Sequence, residues 1–263
     1  MSFKRIYAII IRHLYIWPRS LERWQGSLGW PLLGLISWGM TMSFFQKNSS
    51  FGFSIVAFLL GGVIFWEFTS ISQREISVNF LDEAWNKNLI NIFSTPTTAG
   101  EFLLASVILG LIKLTVTMFI MLSGAVIFYK FNIFSLYSLY LPFLIANLLM
   151  FGLSFGFIIN GLIIRFGYGA QELAWALLAW VSPFSCIYYP LSSIPSWAQK
   201  IGLMLPSTYI FEEMRRVIMT GSMNLSNLFV SFSLNIIYLI LALLFFRWMF
   251  ENAREHGRLV KLN

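Results

Sequence analysis

The sequence predicts an all-α polytopic membrane protein with six transmembrane helices. Three observations lead there. Charged residues make up 11% of the 263 residues, against roughly 25% in a soluble domain. Apolar residues make up 58%, and the mean hydropathy is +0.74. Nearly all the charge lies outside six apolar stretches, each near the ~20 residues that cross a hydrocarbon core. An ordinary soluble enzyme, a disordered chain and a coiled coil are excluded on these grounds. The lone Cys186 also excludes a disulfide framework and any multi-cysteine metal site.

The first element, within residues 1–25, reads as an interfacial helix. Phe3, Ile6, Tyr7, Ile10, Leu14 and Trp17 fall on one face, and Arg5, Arg12 and Arg19 on the other. That pattern suits a helix with its apolar side in the acyl boundary and its basic side toward anionic headgroups, so membrane lipids are expected partners. The charge is spread along the segment rather than confined to its start, so no cleaved signal peptide is expected.

The six spans are read at 27–46, 52–71, 102–128, 139–164, 172–190 and 226–247. Spans one to five occupy 26–190, and 226–263 holds span six and a tail, giving one membrane domain over 1–263. With the N-terminus inside, Lys4, Arg5, Arg12, Arg19, Arg23, Arg74, Lys87, Arg165, Arg247, Arg254, Arg258 and Lys261 face the cytoplasm. Lys47, Lys130, Lys200, Arg215 and Arg216 face out. This asymmetry predicts N-in and C-in. It also accounts for the pI of about 9.6 without a nucleic-acid partner.

Between spans two and three, Leu81, Trp85, Leu89, Ile92 and Phe93 recur at helical spacing, with Asp82, Glu83, Asn86, Lys87 and Asn88 between them. The helix should end before Pro96. Thr98 to Glu101 then forms a capping box into the third span. Between spans five and six, residues 191–225 are too short for two spans and read as an outer re-entrant helical hairpin. Ile210, Phe211, Met214, Val217 and Ile218 share a face there. Glu212 and Glu213 stand within pairing reach of Arg216, and Gly221 ends the helix.

Glu67 and Lys113 are the ionisable residues most clearly inside spans, where charge is costly and marks function or a structural pair. Their depths differ by roughly 10 Å, at 1.5 Å per residue. Asn147, Asn160 and Asn235 are expected to bond between helices. Trp38 and Trp180 are placed deeper than the interfacial belt. No G-x-x-x-x-G-K-[ST] loop and no HExxH are present. Gly152 to Gly156 matches G-x-S-x-G, but mid-span and without a histidine base it reads as a small-residue packing face. No catalytic residue, metal or cofactor site is expected.

The order of parts, with several short motifs, resembles the permease subunits of type 2 ABC exporters. The matching stretches are RHLYIWPR ending at Arg19, Trp30-Pro31, Trp38-Gly39, LINIFSTP ending at Pro96, and Glu101-Phe-Leu-Leu. The most telling runs from Ile194-Pro195-Ser-Trp197 to Pro206, Tyr209, Glu212 and Arg215, similar to that family's P-x-x-Y-x-x-E-x-x-R signature. The resemblance implies a transport subunit in a prokaryotic plasma membrane, not itself an enzyme. It implies a homodimer or a pair with a related permease, and a separate ATPase that binds ATP and Mg. Residues 79–95 would then be a cytoplasmic coupling helix. Trp85, Leu89 and Phe93 would be its docking face, ringed by Asp82, Glu83 and Lys87. Pro206, Tyr209, Glu212 and Arg215 would form an outer gate. The cargo implied is a lipid-linked glycan, a lipid-like molecule or a drug. The alternatives are an ATPase-independent channel or secondary carrier, and a non-transporting membrane scaffold.

Overall fold

A computed structural model describes residues 1–48, 55–86, 88–170 and 172–256. It is 88% helical, with no strand among the described residues. The helices in chain order are α1 (Phe3–Ile16), α2 (Leu21–Trp24), α3 (Trp30–Asn48), α4 (Ile55–Trp85), α5 (Leu89–Ser94), α6 (Ala99–Tyr129) and α7 (Ile133–Tyr137). They continue with α8 (Leu141–Phe166), α9 (Leu173–Val181), α10 (Ser196–Gly202), α11 (Pro206–Thr220) and α12 (Leu225–Glu255).

Four helical stretches are long and apolar enough to cross a membrane: Gln25–Asn48, Ala99–Tyr129, Ile133–Phe166 and Leu225–Glu255. They contain the expected first, third, fourth and sixth spans. The expected second span begins outside the described residues and continues into α4. At 31 residues, or about 46 Å, α4 outruns a ~30 Å hydrocarbon core. Its stretch from Arg74 onward carries Arg74, Glu75, Asp82 and Glu83. The expected fifth span is not one helix. α9 ends in a 3₁₀ turn over Ser182–Phe184, where Pro183 cannot continue the helical ladder. The resulting Leu173–Phe184 is too short to cross.

α4 is the spine, packed against α8, α6 and α3, and α8 in turn packs against α12. Gly152 and Gly156 set how closely α8 approaches it. A Cβ at Gly152 would stand 2.4 Å from the carbonyl oxygen of Thr69, and one at Gly156 3.3 Å from that of Gln73. This is the small-residue packing face expected from the sequence. Asn160 donates to the carbonyl of Ile76 on α4 (3.4 Å), and Asn235 on α12 donates to Oδ1 of Asn147 on α8 (3.1 Å). The three membrane-depth asparagines therefore join helices as expected. Phe65, Tyr137 and Phe211 centre one apolar cluster; Phe80, Phe102 and Ile163 centre another.

Local chain chemistry fixes the joints. Thr98 accepts from the Glu101 amide (3.2 Å) and Glu101 accepts from the Thr98 amide (2.9 Å), which completes the capping box of α6. Pro206 opens α11 at a position that needs no amide donor. Gly221 closes α11 with φ +70°, the left-handed conformation glycine adopts without strain.

The helix expected across 79–95 is two pieces. α4 runs on to Trp85, the chain breaks at Asn86, and α5 is only six residues long. Asparagine side chains compete with the helical ladder at the break. Asn86 donates to the carbonyl of Asp82 (2.7 Å), and Asn88 donates to Oε2 of Glu83 (2.7 Å).

Candidate functional site

The charged end of α4 gathers most of the polar chemistry. Asp82 and Glu83 were expected on an exposed rim, yet both are buried, Glu83 to 2% exposure. The first helices cover them. Arg23 pairs with Asp82 (2.7 Å), Arg12 with Glu83 (3.0 Å), and Nε2 of buried His13 faces Oε1 of Glu83 (3.0 Å). One element along, Arg5 pairs with Glu101 at the start of α6 (2.7 Å) and donates to the carbonyl of Pro96 (2.6 Å). Arg5 and Arg12 of the basic face, with Arg23, thus pair with acids of the same chain. Phe3, Tyr7 and Tyr15 stay exposed on α1, and Leu21 and Trp24 on α2, so an aromatic and apolar surface is left for the membrane.

Asp82 and Glu83 lie beyond the apolar stretch of α4 and respond differently to their setting. Burial pushes the Asp82 carboxyl up, and the charges of Arg23, Lys113 and His13 only partly offset that. Burial also pushes Glu83 up. Hydrogen bonds from His13 and Asn88 and the charge of Arg12 outweigh it and bring Glu83 down to about 2.

Lys113 does not meet Glu67. Its Nζ lies 2.5 Å from Oε2 of Glu75, and both side chains are buried. Glu75 also accepts from Ser27 (2.8 Å), whose carbonyl accepts from Thr117 (3.0 Å). The Trp17 ring lies 5.8 Å from Nζ. Glu75 stands eight residues past Glu67, about 12 Å along α4, which matches the depth offset between Glu67 and Lys113. Glu67 keeps a buried Oε2 without a partner.

The expected docking face is used within the chain. Leu89 is 1% exposed. Phe93 packs edge-on against Phe250 (4.9 Å between centroids) and Phe102 (6.1 Å). Trp85 is half-buried and lines a small cavity beside Lys113. Lys87 lies outside the described residues. What α5 and the turn after it expose is Asn91, Ser94, Thr95 and Pro96.

At the other charged site, Glu212 accepts from Nη2 of Arg215 and from the amide of Leu191, each at 2.6 Å. Nη1 of Arg215 donates to the carbonyl of Cys186 (2.6 Å). Tyr209 donates to the carbonyl of Leu203 (2.9 Å), and Pro206 accepts from Ser231 (2.9 Å). The four expected gate residues therefore tie α11 to the 186–191 segment, to the α10–α11 turn and to α12. The ion pairs are Glu212–Arg215 and Glu213–Arg216, not Glu212–Arg216. Glu213, paired with Arg216 as its spacing predicts, has a second role that the spacing does not show. It is fully buried and accepts from the amide of Asn224 (2.6 Å) and from Asn227 (2.5 Å), which closes the α11–α12 joint.

Trp38 and Trp180, expected deep, are both exposed, Trp180 to 66%. Trp38 stacks on Tyr188 at 5.1 Å. No group of three or more His, Cys, Asp or Glu side chains able to hold a metal occurs among the described residues. No family model matches the chain, and no curated protein matches it.

Proposed function

We propose that the chain is the membrane-spanning permease subunit of an ATP-driven exporter. In this reading it pairs with a second copy or a related permease, and a separate ATPase supplies the energy. The cargo is a lipid-linked glycan, a lipid-like molecule or a drug, and the setting is a prokaryotic plasma membrane with both termini inside. The observation that carries the reading is α5. It is a six-residue helix set between two 31-residue helices, backed by an aromatic cluster and offering Asn91 and Ser94 outward. A short rigid element of this kind transmits motion between a soluble partner and the spans to which it is joined. The sequence has no phosphate-binding loop of its own, so an energy source must come from another chain.

The docking contact proposed here differs from the one the motif resemblance implied. Phe93 and Leu89 support α5 from within, and the partner meets Asn91, Ser94 and the Thr95–Pro96 turn. The test is affinity purification of the chain with identification of any P-loop ATPase bound to it. Asn91→Arg with Ser94→Arg should abolish the complex while the thermal unfolding midpoint stays put. A complex unaffected by both changes, or transport by the purified chain alone, would overturn the proposal.

A further inference from the structure

Arg74 stands apart from the other arginines of the charged seam. Nε and Nη2, which together form the side-on edge of the guanidinium, are both buried and without a hydrogen-bond partner. Arg5, Arg12 and Arg23 each reach a carboxylate. Burying donors without partners is unfavourable, and the side-on edge matches two oxygens of an oxyanion. Arg74 and Trp175 line both of two cavities, one of about 50 Å³ and one of about 210 Å³.

The smaller cavity is also lined by Arg23, whose Nη1 is a further buried donor without a partner. Its other charged linings are accounted for: Glu75 pairs with Lys113, and Asp82 pairs with Nη2 of Arg23. Arg74 and Arg23, with three unpartnered donors between them, thus both line this space. A planar carboxylate offers two oxygens in one plane. A tetrahedral phosphate offers three or more in different directions, so it suits two guanidiniums better. The larger cavity runs between α4 and α9, past Trp66, Ser70 and Leu178. Tryptophans of this kind favour the headgroup level of a bilayer.

The geometry points to a phosphate-binding site between α2, α4 and α9, with Arg74 as its principal ligand and Arg23 as its second. A phosphate there is carried either by a lipid headgroup or free in solution. The site stands apart from the exporter proposal, since binding needs no ATPase.

The test is calorimetric titration of the purified full chain in neutral detergent with three probes. They are dihexanoyl phosphatidic acid, dihexanoylglycerol and inorganic phosphate. Phosphatidic acid should bind and dihexanoylglycerol should not. Arg74→Gln should weaken the phosphate probes at least tenfold, Arg23→Gln less, and Arg74→Lys should recover part of the loss. Phosphatidic acid binding at least tenfold tighter than inorganic phosphate assigns the site to a lipid headgroup; comparable binding assigns it to a free phosphate. Either result upholds the site. Absence of binding by both phosphate probes overturns it, leaving water in the cavities. So does binding that Arg74→Gln and Arg23→Gln, each still monodisperse and cooperatively unfolding, change by less than twofold.

Discussion

The two charged regions use the same residue types in opposite ways. At the α4 seam, the paired residues are far apart in sequence: Arg5 with Glu101, Arg12 with Glu83, Arg23 with Asp82, and Lys113 with Glu75. At α11, the ion pairs are local, Glu212 with Arg215 and Glu213 with Arg216, three residues apart on one helix. The seam therefore holds separate elements together by charge. The α11 pairs orient side chains on one element, which then reach out through backbone groups, as Arg215 does to Cys186. Long-range pairs determine which helices meet. Local pairs determine how one helix presents itself.

The contrast is sharpest at Lys113. Lys113→Ala leaves the Glu75 carboxylate buried beside Ser27 without its cation. Removing one partner of a buried pair destabilises by about 3–5 kcal/mol. The double change Lys113→Met with Glu75→Leu should recover most of that, because a buried pair exchanged for packed apolar groups is often neutral or better. Thermal unfolding in detergent reads both. Failure of the double variant to recover would mean that the pair has a role beyond its own desolvation.

Arg215→Ala comes next. It strands a carbonyl at Cys186 and leaves Glu212 only the Leu191 amide, a loss of about 1–3 kcal/mol. Proteolysis should then begin in the 186–191 segment before it touches α1. The reverse order would break the distinction between the regions. Arg216→Ala is the smallest. Its side chain is half exposed and its partner Glu213 keeps two other donors, so a change of about 0.5 kcal/mol or less is expected.

This difference also explains what the sequence made legible. The capping box at Thr98 and the stop at Gly221 are local, and the structure has them where residue spacing placed them. The Gly152–Gly156 face and the asparagine bonds follow from one side chain in an apolar helix. Glu75 was not found, because its partner is on another helix 38 residues away and nothing in its neighbourhood signals Lys113. Asp82 and Glu83 read as exposed because acids between apolar residues usually are. Their burial depends on His13 and Arg23 arriving from the start of the chain. Pro206, Tyr209, Glu212 and Arg215 each bond to a segment outside α11. The expected docking face of Trp85, Leu89 and Phe93 instead packs inward, since a hydrophobic stripe alone does not say which surface covers it.

The central claim is that the first helix is strapped to α4 by charge. Glu83 carries that strap. Its carboxyl sits at about 2, below its ordinary 4.5, so its pairing contributes fully above 4.5 and fades as pH falls toward 2. The most direct measurement is a double-mutant cycle at pH 7, with His13→Ala, Glu83→Ala and both together, read by thermal unfolding in detergent. Both side chains are 2% exposed and meet at 3.0 Å, so the account predicts a coupling of about 1 kcal/mol or more. Strictly additive effects would contradict it.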